Sequence, residues 1–276
     1  MTHHAAVIGH PIDHSLSPLI HRSAYAQLGL DDWDYQAIDV TAAQLEEFLA
    51  SCDTSWAGLS VTAPLKAELL KHGLPDQLSD GLQAANTLLF GHPNRLYNTD
   101  VAGIVAALGH HGITAVAEAM ILGAGATARS TLAALATMGA ERLQVFARTP
   151  AKAHDSLDDL AASFEVELVV RPWSELLGDA SAAGNPAASA ELLVSTVPVQ
   201  FSADQATTLA AMAPAVFDIS YRGWPTALSQ AAQQADATSI DGIDLLVFQA
   251  IEQVRLMTGM EPEAAPLLDI CRAAQN

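Results

Sequence analysis

Basic residues are scarce in this chain. Its 276 residues include 12 lysines and arginines against 31 aspartates and glutamates, a formal net charge of −19, and only three lysines: Lys66, Lys71 and Lys152. Such a surface repels nucleic acid and anionic membranes, so neither is an expected partner. Any anion-binding site must be made locally, from a few cations and helix N-termini, which makes the position of each basic residue informative. Cysteine is nearly absent as well. Cys52 and Cys271 make no metal or redox spacing, so no metal site is expected, and both read as buried thiols in a reducing cytoplasm. No apolar run reaches membrane length; the longest candidate, 115–122, is far too short and contains Glu118. The N-terminus lacks a basic region followed by a long apolar one, so no signal peptide is expected. What the chain does have is apolar residues, 50% of the total against 16% charged. That is the composition of a globular, core-forming chain, long enough for two domains or one large one.

Against that background Lys66 stands out. The stretch Gly58 to Lys66 reads as a strand over 57–61 that ends at a polar pair and turns into a helix at Pro64, proline being suited to a first helical position. A lysine in the first turn opposes the helix dipole, so either it is a solvated surface residue or something other than helix stability placed it there. Polar groups cluster at other strand ends too. A strand over 5–9 runs into a loop carrying Ser15 and Ser17, and Ser17-Pro18 signals a helix start over about 18–28 with Ser17 as N-cap. The cap explains Ser17 but not Ser15, and the carboxyl ends of strands are where open α/β sheets bind ligands. Further strands are expected at 35–40 and 84–90, with helices over 42–51, 64–70 and 75–82, and 96–98 pairs with 84–90 as a hairpin. Asn86 and Thr87 interrupt the apolar run of 84–90; a buried asparagine must be bonded, so Asn86 is a structural bridge or a ligand contact. Asp100 opens a helix over about 101–110, as N-cap or as something more.

The middle of the chain differs in kind. A short apolar strand over 119–122 runs into Gly123-Ala124-Gly125-Ala126-Thr127-Ala128 and then an Ala/Leu-rich helix. Strand, glycine turn and helix form the context in which a G-x-G-x-x-G/A pattern signals a dinucleotide site. The first glycine permits the turn, the second lets backbone approach a pyrophosphate, and Ala128 lets helix and strand pack closely. The next strand, 143–147, is followed by Arg148-Thr149-Pro150 and Lys152, with no acid between Glu141 and Asp155. NAD enzymes usually carry an acid there for the ribose diol; arginine and lysine instead suit a 2′-phosphate, so NADP(H) is the expected cofactor. Strands follow at 166–170, 192–197 (ending at Ser195-Thr196) and 215–219, with an exposed small-residue loop over 180–190. Pro225 is expected to start a helix to about Gln234. After a short strand at 239–240 comes Asp241-Gly242 and a helix over 244–258, in which Gln249 lies on a largely apolar face and needs a partner. The tail holds one more short helix.

Taken together these motifs resemble the shikimate dehydrogenase family across nearly the whole chain. The residues that carry the resemblance are the loop from Gly9 to His21, Gly58 to Lys66, Ala85-Asn86-Thr87, Asn98 to Gly103, the glycine turn, Arg148-Thr149, Asp218 with Tyr221 and Thr226, and Asp241-Gly242 with Gln249-Ala250. The resemblance implies two α/β domains around a cleft. A substrate-binding catalytic domain would comprise 1–103 and 243–276, and a Rossmann NADP-binding domain 104–242. It implies reversible, NADPH-dependent reduction of 3-dehydroshikimate to shikimate, a step of aromatic amino-acid biosynthesis; the sequence itself fits either a monomer or a homodimer, in the cytoplasm that its cysteines suggest. Lys66 and Asp100 would be the catalytic pair and Ser15 and Ser17 would hold the substrate carboxylate. Thr62, Asn86, Tyr221 and Gln249 would hold the ring hydroxyls or shape the pocket. The cofactor would be met by Gly123, Gly125, Ala126, Ala128, Arg148, Thr149, Lys152, Thr196 and Gly242. Ser60 departs from the pattern, which usually has asparagine there, as do Arg22, Ala147, Ser195 and the loop holding Arg222. An NAD-dependent quinate/shikimate dehydrogenase and a catalytically silent NADP-binding sensor are the rival readings; Ser17 with Arg148 speaks against the first, and Lys66 with Asp100 against the second.

Overall fold

A computed structural model of the chain describes residues 2–177, 190–221 and 223–275. These form two compact α/β units, Met1–Gly103 with Leu246–Asn276 and Ile104–Leu245. In chain order the first contains β1 (His3–Gly9), α1 (Ser17–Leu28), β2 (Trp33–Asp39), α2 (Leu45–Ser51), β3 (Trp56–Val61), a 3₁₀ turn (Glu68–His72), β4 (Leu74–Pro75), α3 (Gln77–Leu82), β5 (Thr87–Leu89), β6 (Arg95–Tyr97) and the start of α4 (Thr99–His110). The second contains β7 (Glu118–Leu122), α5 (Ala126–Thr137), β8 (Arg142–Ala147), α6 (Pro150–Ser163), β9 (Glu167–Pro172), α7 (Ser174–Leu177), β10 (Leu192–Ser195), α8 (Ala203–Ala210), β11 (Ala215–Asp218), α9 (Ala227–Gln234) and β12 (Thr238–Asp241). The chain returns to the first unit within α10 (Gly242–Thr258) and ends with α11 (Ala264–Ala273).

The first sheet is mixed, in the order β2-β1-β3-β5-β6-β4. β1 lies parallel to β2 and β3, while β5 runs antiparallel to both β3 and β6. Ile8, Leu45, Leu59, Val61, Leu65, Leu69, Leu88 and Leu96 pack into one buried cluster beside it. β1, β3 and β6 therefore deliver their ends around one patch. The second sheet is wholly parallel, in the order β12-β11-β10-β7-β8-β9. Renumbered within the unit this is the dinucleotide-fold order, whose strand sequence reverses between β7 and β10; ligands bind outside the carboxyl ends of strands at such a reversal.

Several local expectations are corrected. The residues after β3 do not form a helix from Pro64. The Ala63–Pro64 peptide is cis, Leu65 N–H closes a turn on the Thr62 carbonyl (2.9 Å), and the Lys66 carbonyl accepts from Ala85 N–H (2.9 Å). That carbonyl is thus tied across to the β5 approach, and regular turns begin only at Glu68. Lys66 lies in a connecting turn, where no helix dipole acts on it. Pro225 likewise precedes its helix, which Thr226 caps by accepting Ser229 N–H (3.1 Å). The strand expected over 84–90 is only Thr87–Leu89, because Ala84 N–H goes to the Ser79 carbonyl (3.2 Å) and Ala85 N–H to the Lys66 carbonyl (2.9 Å). Of the two cysteines only Cys271 is buried; Cys52 is half-buried, and both are free thiols. Apart from Ala190, the loop expected over 180–190 lies outside the described residues, as does Arg222. Among the described residues no helix is long and apolar enough to cross a membrane, and no cluster of His, Cys, Asp or Glu is able to hold a metal.

Candidate active site

In the first unit, Lys66 Nζ donates to Asp100 Oδ2 at 2.6 Å. The lysine side chain is 21% exposed and the aspartate side chain 8%, so the pair sits at the boundary between protein and solvent. Asp100 is free for this because it is not the helix cap. Asn98 takes that role, its Oδ1 accepting Asp100 N–H at 3.0 Å, while its Nδ2 is anchored on the Ala84 carbonyl (3.0 Å). Asp100 lies in the first turn of α4, where a carboxylate also faces the positive end of the helix dipole. Its second oxygen, Oδ1, accepts from Asn86 Nδ2 (2.9 Å).

Asn86 is fully spent on the protein. Its other amide hydrogen goes to Gln249 Oε1 (3.0 Å), and its Oδ1 accepts Thr87 Oγ1 (2.9 Å), Thr99 N–H (2.8 Å) and Thr99 Oγ1 (3.1 Å). The structure therefore makes Asn86 the bridge between β5, α4 and α10. Gln249 reaches it because Gly103 lets α4 pass close to α10; a Cβ there would lie 2.8 Å from Gln249 N. The polar groups of Asn86 and the Asp100 carboxylate all have partners, which holds the carboxylate in one orientation.

The serine loop lies in the same unit. His10 N–H donates to the Ala63 carbonyl (3.2 Å) and Thr62 N–H to the Ile8 carbonyl (2.9 Å), so the loop after β1 is stitched to the turn carrying Lys66. Ser17 is not the N-cap expected for α1: Leu16 holds that position, with no side-chain cap. Ser17 is the first residue of α1, and Ser15 Oγ accepts its N–H (3.3 Å). Behind them lies buried His21, its Nδ1–H donating to the Ser17 carbonyl (2.9 Å) and its ring stacked on Tyr35 at 3.8 Å between centroids. Burial pushes the His21 pKa down to about 4, against the raising effect of that hydrogen bond. Ser15, Ser17, Thr62, Lys66, Asn86, Asp100 and Gln249 thus belong to one unit. Tyr221 does not: it lies half-buried after β11 in the second unit.

In the second unit, the glycine turn follows β7 at the sheet reversal. Gly123 has φ +109°, and a Cβ there would collide with Thr196 Oγ1, which is itself donating to the Leu122 carbonyl (2.7 Å). Thr196 thereby holds the end of β10 against the turn. Gly125 is the residue before α5, exposed, with open space where a Cβ would project. Ala126 is exposed and Ala128 buried, and among the described residues no side chain caps this helix start, so backbone N–H groups are presented there. Arg148 and Thr149 follow β8, Lys152 lies in the first turn of α6, and all three are exposed. Gly242 opens α10 against the Ile219 backbone. Asp218, at the end of β11, accepts from Thr226 Oγ1 (2.7 Å), and burial raises its carboxyl pKa against that hydrogen bond. A helix start without a side-chain cap among the described residues, beside exposed cations and with no acid after β8, fits a phosphorylated dinucleotide.

A sequence model of the shikimate dehydrogenase substrate binding domain matches residues 7–88. The chain is 32% identical to the Shikimate dehydrogenase (NADP(+)) of Methanothrix thermoacetophila, over 98% of this chain and 96% of that one. The chain belongs to the shikimate dehydrogenase family. Among solved structures, Mycobacterium tuberculosis shikimate dehydrogenase matches with a TM-score of 0.87 and 36% identity over 99% of both chains. Shikimate 5-dehydrogenase from Thermus thermophilus, solved in complex with NADP(H) and shikimate, matches with a TM-score of 0.82 and 28% identity, over 99% of this chain and 100% of that one.

Membership in this family does not by itself bring out the residues behind the site. Thr87 and Thr99 on Asn86, Asn98 as cap, and Gln253 beneath Asn86 escaped the sequence reading. Gln253 left one signal: it falls one helical turn after Gln249, a second polar residue on an apolar face.

Proposed function

We propose that this chain is an NADP-dependent shikimate dehydrogenase, interconverting 3-dehydroshikimate and shikimate in aromatic amino-acid biosynthesis. The observation that carries the catalytic assignment is the 2.6 Å pair of Lys66 and Asp100, in a chain whose curated relatives are named for this activity. The first unit binds substrate and the second the cofactor. The match of residues 7–88 to a substrate binding domain supports the one, and the strand order and glycine turn of the second sheet support the other.

NADPH, when bound, supplies the hydride. The Gly123–Ala128 turn offers N–H groups to its pyrophosphate. Arg148, Thr149 and Lys152 offer charge and hydrogen bonds to a 2′-phosphate, and Thr196 and Gly242 border the same strand ends. Reduction of a ketone leaves negative charge on its oxygen, which needs a proton donor in place. Lys66 gives that proton and stabilises the charge as it forms. Asp100 fixes where the ammonium points, and Asn86 fixes Asp100. Ser15 and Ser17 hold the substrate carboxylate through hydroxyl donors, with Thr62, Gln249 and Tyr221 at the ring hydroxyls. Asn86 joins them only by sharing an amide hydrogen it now gives to Asp100 or Gln249. Two free thiols support a cytoplasmic setting.

The test is absorbance at the nicotinamide band with shikimate or quinate, each with NADP or NAD. Turnover is expected with shikimate and NADP. Faster turnover with quinate and NAD, or none with any pairing, refutes the assignment.

A further inference from the structure

Ser60 is 3% exposed, and its one hydroxyl hydrogen is already committed within the protein. It accepts from Tyr35 OH at 2.6 Å and donates to Gln253 Oε1 at 2.7 Å. Gln253 Nε2 donates in turn to the Asn86 carbonyl (3.3 Å) and Thr87 Oγ1 (3.2 Å), and Thr87 donates to Asn86 Oδ1 (2.9 Å). Asn86 then donates to Asp100. We propose that Ser60 and Gln253 are positioning residues for the Lys66–Asp100 pair, acting on it through Asn86. This rests on the reading of that pair as catalytic.

The direction of the chain is forced at each link. Thr99 N–H can only donate, so Asn86 must turn its oxygen toward Thr99 and its NH₂ toward Asp100. The Asn86 carbonyl can only accept, so Gln253 must turn its NH₂ toward it and its oxygen toward Ser60. Ser60 must then donate to Gln253 and accept from Tyr35. No amide in the series can flip without placing two donors or two acceptors face to face in a dry interior, where each mismatch is costly. The chain continues on the other side: Tyr35 stacks on His21, and His21 holds the Ser17 carbonyl. One buried series thus ties the serine loop to the acid of the catalytic pair, setting the spacing between the group that holds the substrate carboxylate and the group that protonates its oxygen.

The experiment is a double-mutant cycle on purified protein, with Ser60→Ala and Gln253→Met each made alone and with Asp100→Asn, reading kcat and KM for shikimate with NADP. Each single change is expected to lower kcat about tenfold and leave KM within about twofold. Ser60→Thr, which keeps the hydroxyl, is expected to restore kcat to within about threefold. In the Asp100→Asn background both changes should alter the residual kcat less than about twofold, because the group they act through is gone. Equal fold losses in both backgrounds, or unchanged kcat in the parent, overturn the inference. Should Ser60→Ala be recovered unfolded, Gln253→Met decides the outcome alone. Undiminished kcat in Asp100→Asn itself refutes instead the catalytic reading on which the inference rests.

Discussion

The two units build their sites by opposite means. In the first, the chemistry is carried by side chains drawn from 15 to 253, and nearly every polar atom behind Lys66 is spent on another side chain. In the second, the candidate site is mostly backbone, a glycine turn and a helix start without a side-chain cap among the described residues, joined by exposed cations at the next strand end. The difference teaches where tolerance lies. A proton donor must be aimed at one atom, so the buried groups behind it are over-determined. A phosphate is a broad anion that several N–H groups and an exposed arginine can share, so its site needs open approach more than rigidity.

The largest test of that contrast is Lys66→Ala. It should cut kcat about a thousandfold while shikimate and NADPH affinities, read by calorimetry, change little; a kcat near the parent's would break the contrast at its centre. Next comes Gly123→Val, which should cost about 3 kcal/mol of stability and weaken NADPH binding while leaving shikimate binding intact. Chemical denaturation and titration with each ligand separate these effects, and equal loss of both ligands would show that the sites are not built independently. The third concerns acid. With the His21 pKa lowered from 6.5 to about 4, the unfolded chain takes up a proton in that window which the folded chain refuses. Stability is full above about pH 6.5 and falls toward pH 4, by at most about 3 kcal/mol. His21→Phe, which keeps the stack on Tyr35, should flatten that slope in denaturation curves between about pH 7 and pH 4.5. Smallest is Arg148→Ala, expected to weaken NADPH about tenfold and NADH hardly at all; equal losses would remove the 2′-phosphate role.

How legible each site was follows from the same contrast. The glycine turn could be read directly, because strand, Gly123, Gly125 and Ala128 are contiguous and each residue's reason is local. Arg148 could be read from the absent acid. The lysine could be singled out only as an oddity, and for a reason the fold removes: Lys66 is not in a helix at all, since its carbonyl goes to Ala85. Ser17 and Asp100 were both plausible caps by residue type, yet Ser15 and Asn98 make the side-chain contacts at those helix starts. Capping preference names the residue types and leaves open which neighbour is used, because that depends on what else competes for the side chain.

By itself the sequence determined that this is an acidic, core-forming α/β chain with a dinucleotide turn, cations suited to a phosphorylated cofactor, and the motifs of its family. Those properties rest on composition and on runs of adjacent residues, and adjacency needs no folding to be seen. Only the tertiary structure decided that Asn86 is consumed as a bridge, that Asp100 is released from capping to meet Lys66, and that Ser60 faces Gln253. Those partners stand up to 193 positions apart, and a buried hydrogen bond exists only once packing has removed the water that would otherwise take its place.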